Sequence, residues 1–213
     1  MIIGITGGIG SGKSTIVREI TRRGYAVYDC DREAKRIIAE DAAVRKAIID
    51  LLGDEAFTHV QGTKDKGQGI TYNTAYVAQR VFDDPALLER LNGIVHPAVK
   101  KDILSFTPSL LHSFTPLFVE SAILFEAGLD ALCEGIVIVD APEDIRIERV
   151  LARDYNGEAS PENINKVRAR VESQRSAELP TDTNNKALHV INDGRTSISE
   201  LADIIIRQYC AAS

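Results

Sequence analysis

Ile2-Ile3-Gly4-Ile5-Thr6-Gly7-Gly8-Ile9-Gly10-Ser11-Gly12-Lys13-Ser14-Thr15 begins as an apolar run and passes straight into a glycine-rich loop. It reads as a strand, a tight loop and the start of a helix. Gly7, four intervening residues, then Gly12-Lys13-Ser14 complete a phosphate-binding pattern. Small residues let backbone N–H groups turn inward around phosphate oxygens, and the following helix presents its positive end to the same anion. Gly8, Gly10, Ser11, Gly12, Lys13, Ser14 and Thr15 are the expected cradle. Lys13 is placed to neutralise β- and γ-phosphates, and the Ser14 hydroxyl to ligate Mg²⁺. An ordinary glycine turn would not require the lysine and the hydroxyl at these places as well.

Outward from this loop, four more segments read as buried strands: Tyr25-Ala-Val-Tyr28, Leu117-Phe-Val119, Ile136-Val-Ile-Val139 and Leu188-His-Val-Ile191. Their continuous apolar character suits a parallel sheet covered on both faces. Helical patterns lie between them. Ile16, Val17 and Ile20 share a face, and Val44, Ala47, Ile48, Leu51 and Leu52 precede a stop at Gly53. Asp84-Pro85 and Ser160-Pro161 start helices, and Ser197-x-x-Glu200 forms a capping box. Strand and helix in alternation predict an α/β fold of the P-loop NTPase kind, a five-stranded parallel sheet flanked by helices. On this reading 1–31, 116–141 and 188–213 form the nucleotide-binding core. The interval 32–115 reads as almost wholly helical, broken by the polar loop Gln61–Gly69, and is expected to hold the substrate. The interval 142–187 is helical and arginine-rich, and is expected to be a lid.

The 213 residues are 44% apolar, enough for a real core. The net charge of −6 argues against a nucleic-acid-coating protein, whose footprint is basic. Cys30, Cys133 and Cys210 lack metal-ligand spacing and are odd in number, which suits a reducing cytoplasmic setting. The glycine loop interrupts any N-terminal signal-like run, and no apolar stretch reaches the length of a membrane span. A soluble monomer or small homo-oligomer is the expected form.

Ligands of open parallel sheets bind beyond the carboxyl ends of the strands. Asp29-Cys30-Asp31 stands at such an end, if the second strand lies beside the first. A carboxylate there can take the proton of an attacking hydroxyl or hold Mg²⁺ through water. In an extended backbone Asp29 and Asp31 point to similar sides. Asp31 also suits the N-cap of a helix beginning at Arg32. Glu120, after the apolar Phe118-Val119, stands where a magnesium-side carboxylate or a simple cap would be. Arg146, Arg149 and Arg153 recur at helical spacing and share a face. Guanidinium groups suit the spread negative charge of phosphoryl transfer; the bland alternative is a solvated face paired with Glu143, Glu148 and Glu172.

The glycine loop with Asp29-Cys30-Asp31 resembles the opening of bacterial dephospho-coenzyme A kinases. The resemblance continues through Arg80-Val81-Phe82, Leu91-Asn92-x-x-Val95-His96-Pro97, Ile123-Leu124-Phe125-Glu126, Arg149-x-x-x-Arg153-Asp154, Gln174 and Val190-Ile191-Asn192-x-Gly194. It implies phosphorylation of the ribose 3′-hydroxyl of dephospho-CoA by ATP with Mg²⁺. By this resemblance Asp31 is the catalytic base, and Arg149 or Arg153 closes over the transferring group. His96, in what reads as a helix break before Pro97, then lies near the substrate. Leu124 and Phe125 form either an apolar substrate wall or part of the core. His59, His112 and His189 have no partner spacing and no assigned role. The chain departs from the family at Ala122, at Asn73, in the length of loop 61–69, and at Lys186-Ala187-Leu188-His189. Two other readings compete: a nucleoside or nucleotide kinase, which would not call for the Leu-Asn-x-x-x-His-Pro element, and a GTPase-like switch. Asn184-Asn185-Lys186 does not continue into the guanine-reading element a GTPase needs.

Overall fold

The computed structural model describes residues 1–60, 69–106, 115–175 and 187–210. Residues 61–68 of the loop expected at 61–69, His112 and the Asn184-Asn185-Lys186 segment lie outside them, as do the side chains of His59, Val60, Gln174 and Arg175. The chain divides into two compact units, Met1–Asp29 with Leu110–Ser213, and Cys30–Ser109.

The first unit is built on β1 (Ile2–Thr6), β2 (Val27–Asp29), β5 (Leu117–Glu120), β6 (Gly135–Asp140) and β7 (Ala187–Ile191). They form one parallel sheet in the order β2-β5-β1-β6-β7. All five expected strands are present, but β2 does not lie beside β1. The β5 strand stands between them, pairing Ile5 with Glu120 on one side and Asp29 with Glu120 on the other. Parallel strands bring their carboxyl ends to one rim, so the ends of β1, β5 and β2 still line up there.

Helices α1 (Lys13–Arg22) and α8 (Ile198–Cys210) cover one face of the sheet. Ile16, Val17 and Ile20 of α1 and Leu201, Ala202 and Ile205 of α8 are buried with Ile3, Ile5, Phe118, Val137 and Val139. The spacing of each set forms a single helical stripe, and each fully buried aliphatic side chain contributes about 1.5–3 kcal/mol. The capping box forms as expected. Ser197 N–H donates to Glu200 Oε2 at 3.0 Å, and Glu200 N–H donates to Ser197 Oγ at 3.2 Å. Helices α6 (Glu143–Asp154) and α7 (Pro161–Arg175) share a smaller core of Ile147, Val150, Leu151, Val167 and Val171.

The second unit holds α2 (Cys30–Glu40), α3 (Ala42–Leu52), α4 (Thr74–Phe82) and α5 (Pro85–Phe106). Helix α5 packs against the other three. This unit is not almost wholly helical. Strands β3 (Phe57–Val60) and β4 (Gly69–Tyr72) form an antiparallel pair, with the rings of Phe57 and Tyr72 5.5 Å apart. Phe-Thr-His-Val and Gly-Ile-Thr-Tyr are rich in aromatic and β-branched residues on either side of a polar loop, a hairpin signal that four-residue strands make faint. The helix break expected at His96-Pro97 is also absent. Pro97 sits inside a continuous 22-residue helix. Its missing N–H would have met the carbonyl of Gly93, and Pro97 is exposed. Burial of Leu91, Val99 and Ile103 on either side holds the helix together across it.

Candidate active site

The loop leaves β1 at Thr6 and enters α1 at Lys13. Gly12 is the N-cap of α1, in the left-handed conformation at φ 85°, where a side chain would be strained. A Cβ on Gly12 would also collide with the Asn192 amide. Gly10 has φ 77°, and a Cβ there would lie 2.5 Å from the Arg146 carbonyl oxygen. The Gly12 carbonyl accepts from Thr15 N–H at 3.0 Å and from Ile16 N–H at 3.2 Å, so α1 starts immediately behind the loop. The Ser11 hydroxyl is buried without a hydrogen-bond partner, beside the place a Cβ on Gly7 would fill. A buried, unanswered hydroxyl at a helix N-terminus fits an anion site.

On the inner side of α1, Lys13 Nζ donates to Glu120 Oε1 at 2.6 Å, and Ser14 Oγ donates to the same oxygen at 2.9 Å. The Lys13 and Glu120 side chains are only 11% and 10% exposed. Glu120 ends β5 at the rim, and the register places Asp29 beside it on β2. One carboxylate thus gathers the lysine and the hydroxyl that the sequence singled out.

The outer side of the loop is gripped by other residues. Arg146 Nε donates to Ile9 O at 2.8 Å, and its Nη1 lies 3.7 Å from Asp140 Oδ1. Arg149 Nη1 donates to Gly10 O and Ser11 O, both at 3.3 Å. Arg149 Nη2 donates to Asn192 Oδ1 at 3.1 Å, and Asn192 Nδ2 donates to Ser11 O at 2.9 Å. Three successive loop carbonyls are therefore held by α6 and by the residue following β7. Asn192 had no role assigned from sequence beyond its place in a motif. Its position just past a strand end, on the rim where Glu120 and Asp29 stand, is the signal that finds it.

The other expected residues lie as follows. Thr15 is exposed and its Oγ1 accepts from Arg18 Nη2 at 3.2 Å. Arg153 is exposed on α6; its Nε and Nη2 donate to Asp154 at 2.6 and 3.1 Å. Asp154 also accepts from Arg170 Nη1 of α7 at 2.9 Å. These bonds hold the Asp154 carboxyl at about 2, through Arg153 first and Arg170 second. Asp31 is exposed within the first turn of α2. The helix begins at Cys30, so Asp31 is not its N-cap and the backbone from Asp29 to Asp31 does not stay extended; strand alternation does not relate their side chains. His96 is half-buried in α5, and burial lowers its pKa. Phe125 is half-buried in the turn after β5. Leu124 is fully buried and covers Gly4, where a Cβ would lie 2.7 Å from Leu124 Cδ2. It is a core residue with no surface left to offer a ligand.

The dephospho-CoA kinase family model matches residues 1–197. A dephospho-CoA kinase of Porphyromonas gingivalis is 40% identical over 152 residues, 71% of this chain and 69% of that one. One from Salinibacter ruber is 38% identical over 194 residues, 90% of this chain and 88% of that one. Among solved structures, a protein of Thermus thermophilus is 27% identical with a TM-score of 0.70, covering 100% of this chain and 98% of that one. The match runs from the loop at Gly7 through the Arg146–Asn192 grip and beyond it, so it takes in both sides of the site: the chain belongs to the dephospho-CoA kinase family.

Proposed function

We infer that the protein transfers the γ-phosphoryl group of ATP to the ribose 3′-hydroxyl of dephospho-CoA, giving coenzyme A and ADP, the last step of coenzyme A biosynthesis. Family membership over residues 1–197, together with the Lys13–Glu120–Ser14 cluster behind a phosphate-binding loop, carries this reading. A nucleoside or nucleotide kinase is not favoured, because the match is to this family rather than to a shared loop alone.

The loop amides and Lys13 would hold the triphosphate, the lysine turning from Glu120 toward phosphate oxygens. Asp31 would accept the proton of the 3′-hydroxyl as that oxygen bonds to phosphorus and the bond to the ADP oxygen breaks. Support for Asp31 comes from the resemblance and from its place two residues beyond Asp29, the register neighbour of Glu120. Arg149 would steady the loop it grips, and Arg153 would meet the charge spread over the transferring group. The segment 142–187 is assigned the role of lid and 32–115 that of substrate side, with His96 and Phe125 as candidate contacts. A lid matters because water must be kept from ATP.

The Ser14 hydroxyl would help to hold Mg²⁺, which would supply positive charge to offset that of the phosphates. Ser14 Oγ and the carboxylates of Glu120 and Asp29 are hard oxygen donors. Among the described residues no group of three or more His, Cys, Asp or Glu is arranged to hold a metal. The cysteines stand as thiols, and no described helix is long and apolar enough to cross a membrane; the first of these supports a reducing, cytoplasmic setting.

The test is direct. The protein is incubated with Mg²⁺-ATP and, separately, dephospho-CoA, AMP, CMP or adenosine, and phosphorylated product is measured. Turnover is expected with dephospho-CoA. Turnover of AMP or CMP with none of dephospho-CoA would overturn the reading.

A further inference from the structure

Arg146 is the most buried arginine at the site, 3% exposed, yet it stands on the side of the loop away from Lys13 and Glu120. A buried guanidinium is costly to desolvate and is kept where its hydrogen bonds matter. Its Nε donates to Ile9 O at 2.8 Å. Its Nη2 lies against Gly8, where any Cβ would meet it, and its own backbone lies against Gly10, with the Arg146 Cα 2.9 Å from where a Gly10 Cβ would be. Asp140 Oδ1 faces Nη1 at 3.7 Å. The residue therefore touches the middle of the glycine loop and ties it to the carboxyl end of β6.

A trans peptide is planar, so the carbonyl of one residue and the N–H of the next point in opposite directions. Holding Ile9 O toward α6 turns the Gly10 N–H away from α6. Holding Ser11 O with Arg149 and Asn192 does the same for the Gly12 N–H. In a glycine-rich loop nothing in the side chains would otherwise choose this orientation, because glycine peptides flip at little steric cost. Preorganised N–H donors bind an anion more tightly than donors that must be turned when it arrives.

We propose that Arg146 is a positioning residue that sets the Ile9–Gly10 peptide for nucleotide binding through its Nε hydrogen bond. The proposal rests on the assignment of loop 7–15 as the ATP site. It separates geometry from charge, because three replacements divide the two. Glutamine carries an amide nitrogen at the same number of bonds from the backbone as arginine Nε, without the charge. Lysine keeps the charge but has a methylene at that place. Methionine fills similar space with neither.

The experiment measures ADP affinity by calorimetry, KM for ATP and for dephospho-CoA, and the melting temperature for Arg146→Gln, Arg146→Lys and Arg146→Met. The expected result is that Lys and Met weaken ADP binding and raise KM for ATP about tenfold, while Gln stays close to wild type. KM for dephospho-CoA is unchanged in all three. Wild-type-like ADP affinity in Lys with a loss in Gln would overturn the proposal in favour of a purely electrostatic role. Lowered melting temperatures with ADP affinity unchanged in all variants would reduce Arg146 to packing. Should Met fail to fold, the Gln and Lys pair still decides. Failure of the wild type itself to bind ADP would instead remove the nucleotide site, and the inference with it.

Discussion

Lys13 and Glu120 form a 2.6 Å ion pair across 107 positions of sequence, and the same carboxylate oxygen accepts the Ser14 hydroxyl at 2.9 Å. A single oxygen thus sets both the candidate phosphate-binding cation and the candidate metal ligand. Replacing Glu120 with glutamine keeps the size and removes the charge. Lys13 is then left largely buried beside a neutral amide, and nothing draws Ser14 toward a cation. Glu120→Gln is expected to lower kcat about 10²-fold and to raise the Mg²⁺ concentration needed for half-maximal rate. Steady-state kinetics across a Mg²⁺ titration check this. An unchanged Mg²⁺ requirement would confine Glu120 to holding Lys13.

Asp31 is the residue on which proton transfer is placed. Asparagine is nearly the same shape but cannot accept the 3′-hydroxyl proton. Asp31→Asn is expected to leave ATP affinity within about twofold of wild type and to lower kcat by roughly 10²–10⁴-fold, the usual worth of a positioned general base. Binding and single-turnover measurements separate the two quantities. Near-normal turnover would remove Asp31 as the base.

What could be read from sequence was what is decided locally. The loop from Gly7 to Thr15, the Ser197–Glu200 box and the stripe of Ile16, Val17 and Ile20 are set by residues within a few positions of each other. The strand order was not legible, since the insertion of Leu117–Glu120 between Ile2–Thr6 and Val27–Asp29 depends on pairing between distant segments. Pro97 misled because a proline ends a helix only when flanking burial cannot hold it, and burial of Leu91 and Ile103 is a tertiary fact. Arg146, Arg149 and Arg153 were correctly seen as a helical series. Their division into two that grip the loop and one that pairs with Asp154 depends on where α6 lies against residues more than 130 positions earlier. Asn192 reaches Ser11 across 181 positions, which no local pattern encodes.

Leu124 illustrates how one motif residue divides between core and ligand. Its side chain is fully buried over Gly4 and beside Cys133. Leu124→Ala is expected to cost about 2–5 kcal/mol of stability, the usual range for emptying such a site. KM for dephospho-CoA should stay unchanged in the folded fraction. Denaturant unfolding and KM together check this. A raised KM without a stability loss would return Leu124 to the substrate wall.

The Asp154 carboxylate joins α6 to α7, accepting from Arg153 at 2.6 Å and from Arg170 at 2.9 Å. Arg153 first and Arg170 second hold its pKa at about 2, below the ordinary 3.8. Between these values the unfolded chain binds more protons than the folded one, so stability from this group rises with pH through that window. The contribution is full above the ordinary value and is lost as pH falls toward 2. The side chain is 26% exposed, and solvent screening limits such a pair to below about 1 kcal/mol. Asp154→Asn is therefore expected to melt below wild type at pH 6 by no more than about 2–4 °C, the shift that a full 1 kcal/mol makes in a chain of this size. At pH 3 the difference should narrow, as the wild-type carboxylate begins to lose its advantage. Melting of both proteins at pH 6, 4 and 3 checks this, because other carboxylates titrating in the same range cancel between them. A difference constant across pH would mean that Asp154 acts through shape and hydrogen bonding that the amide also disturbs, and not through its charge.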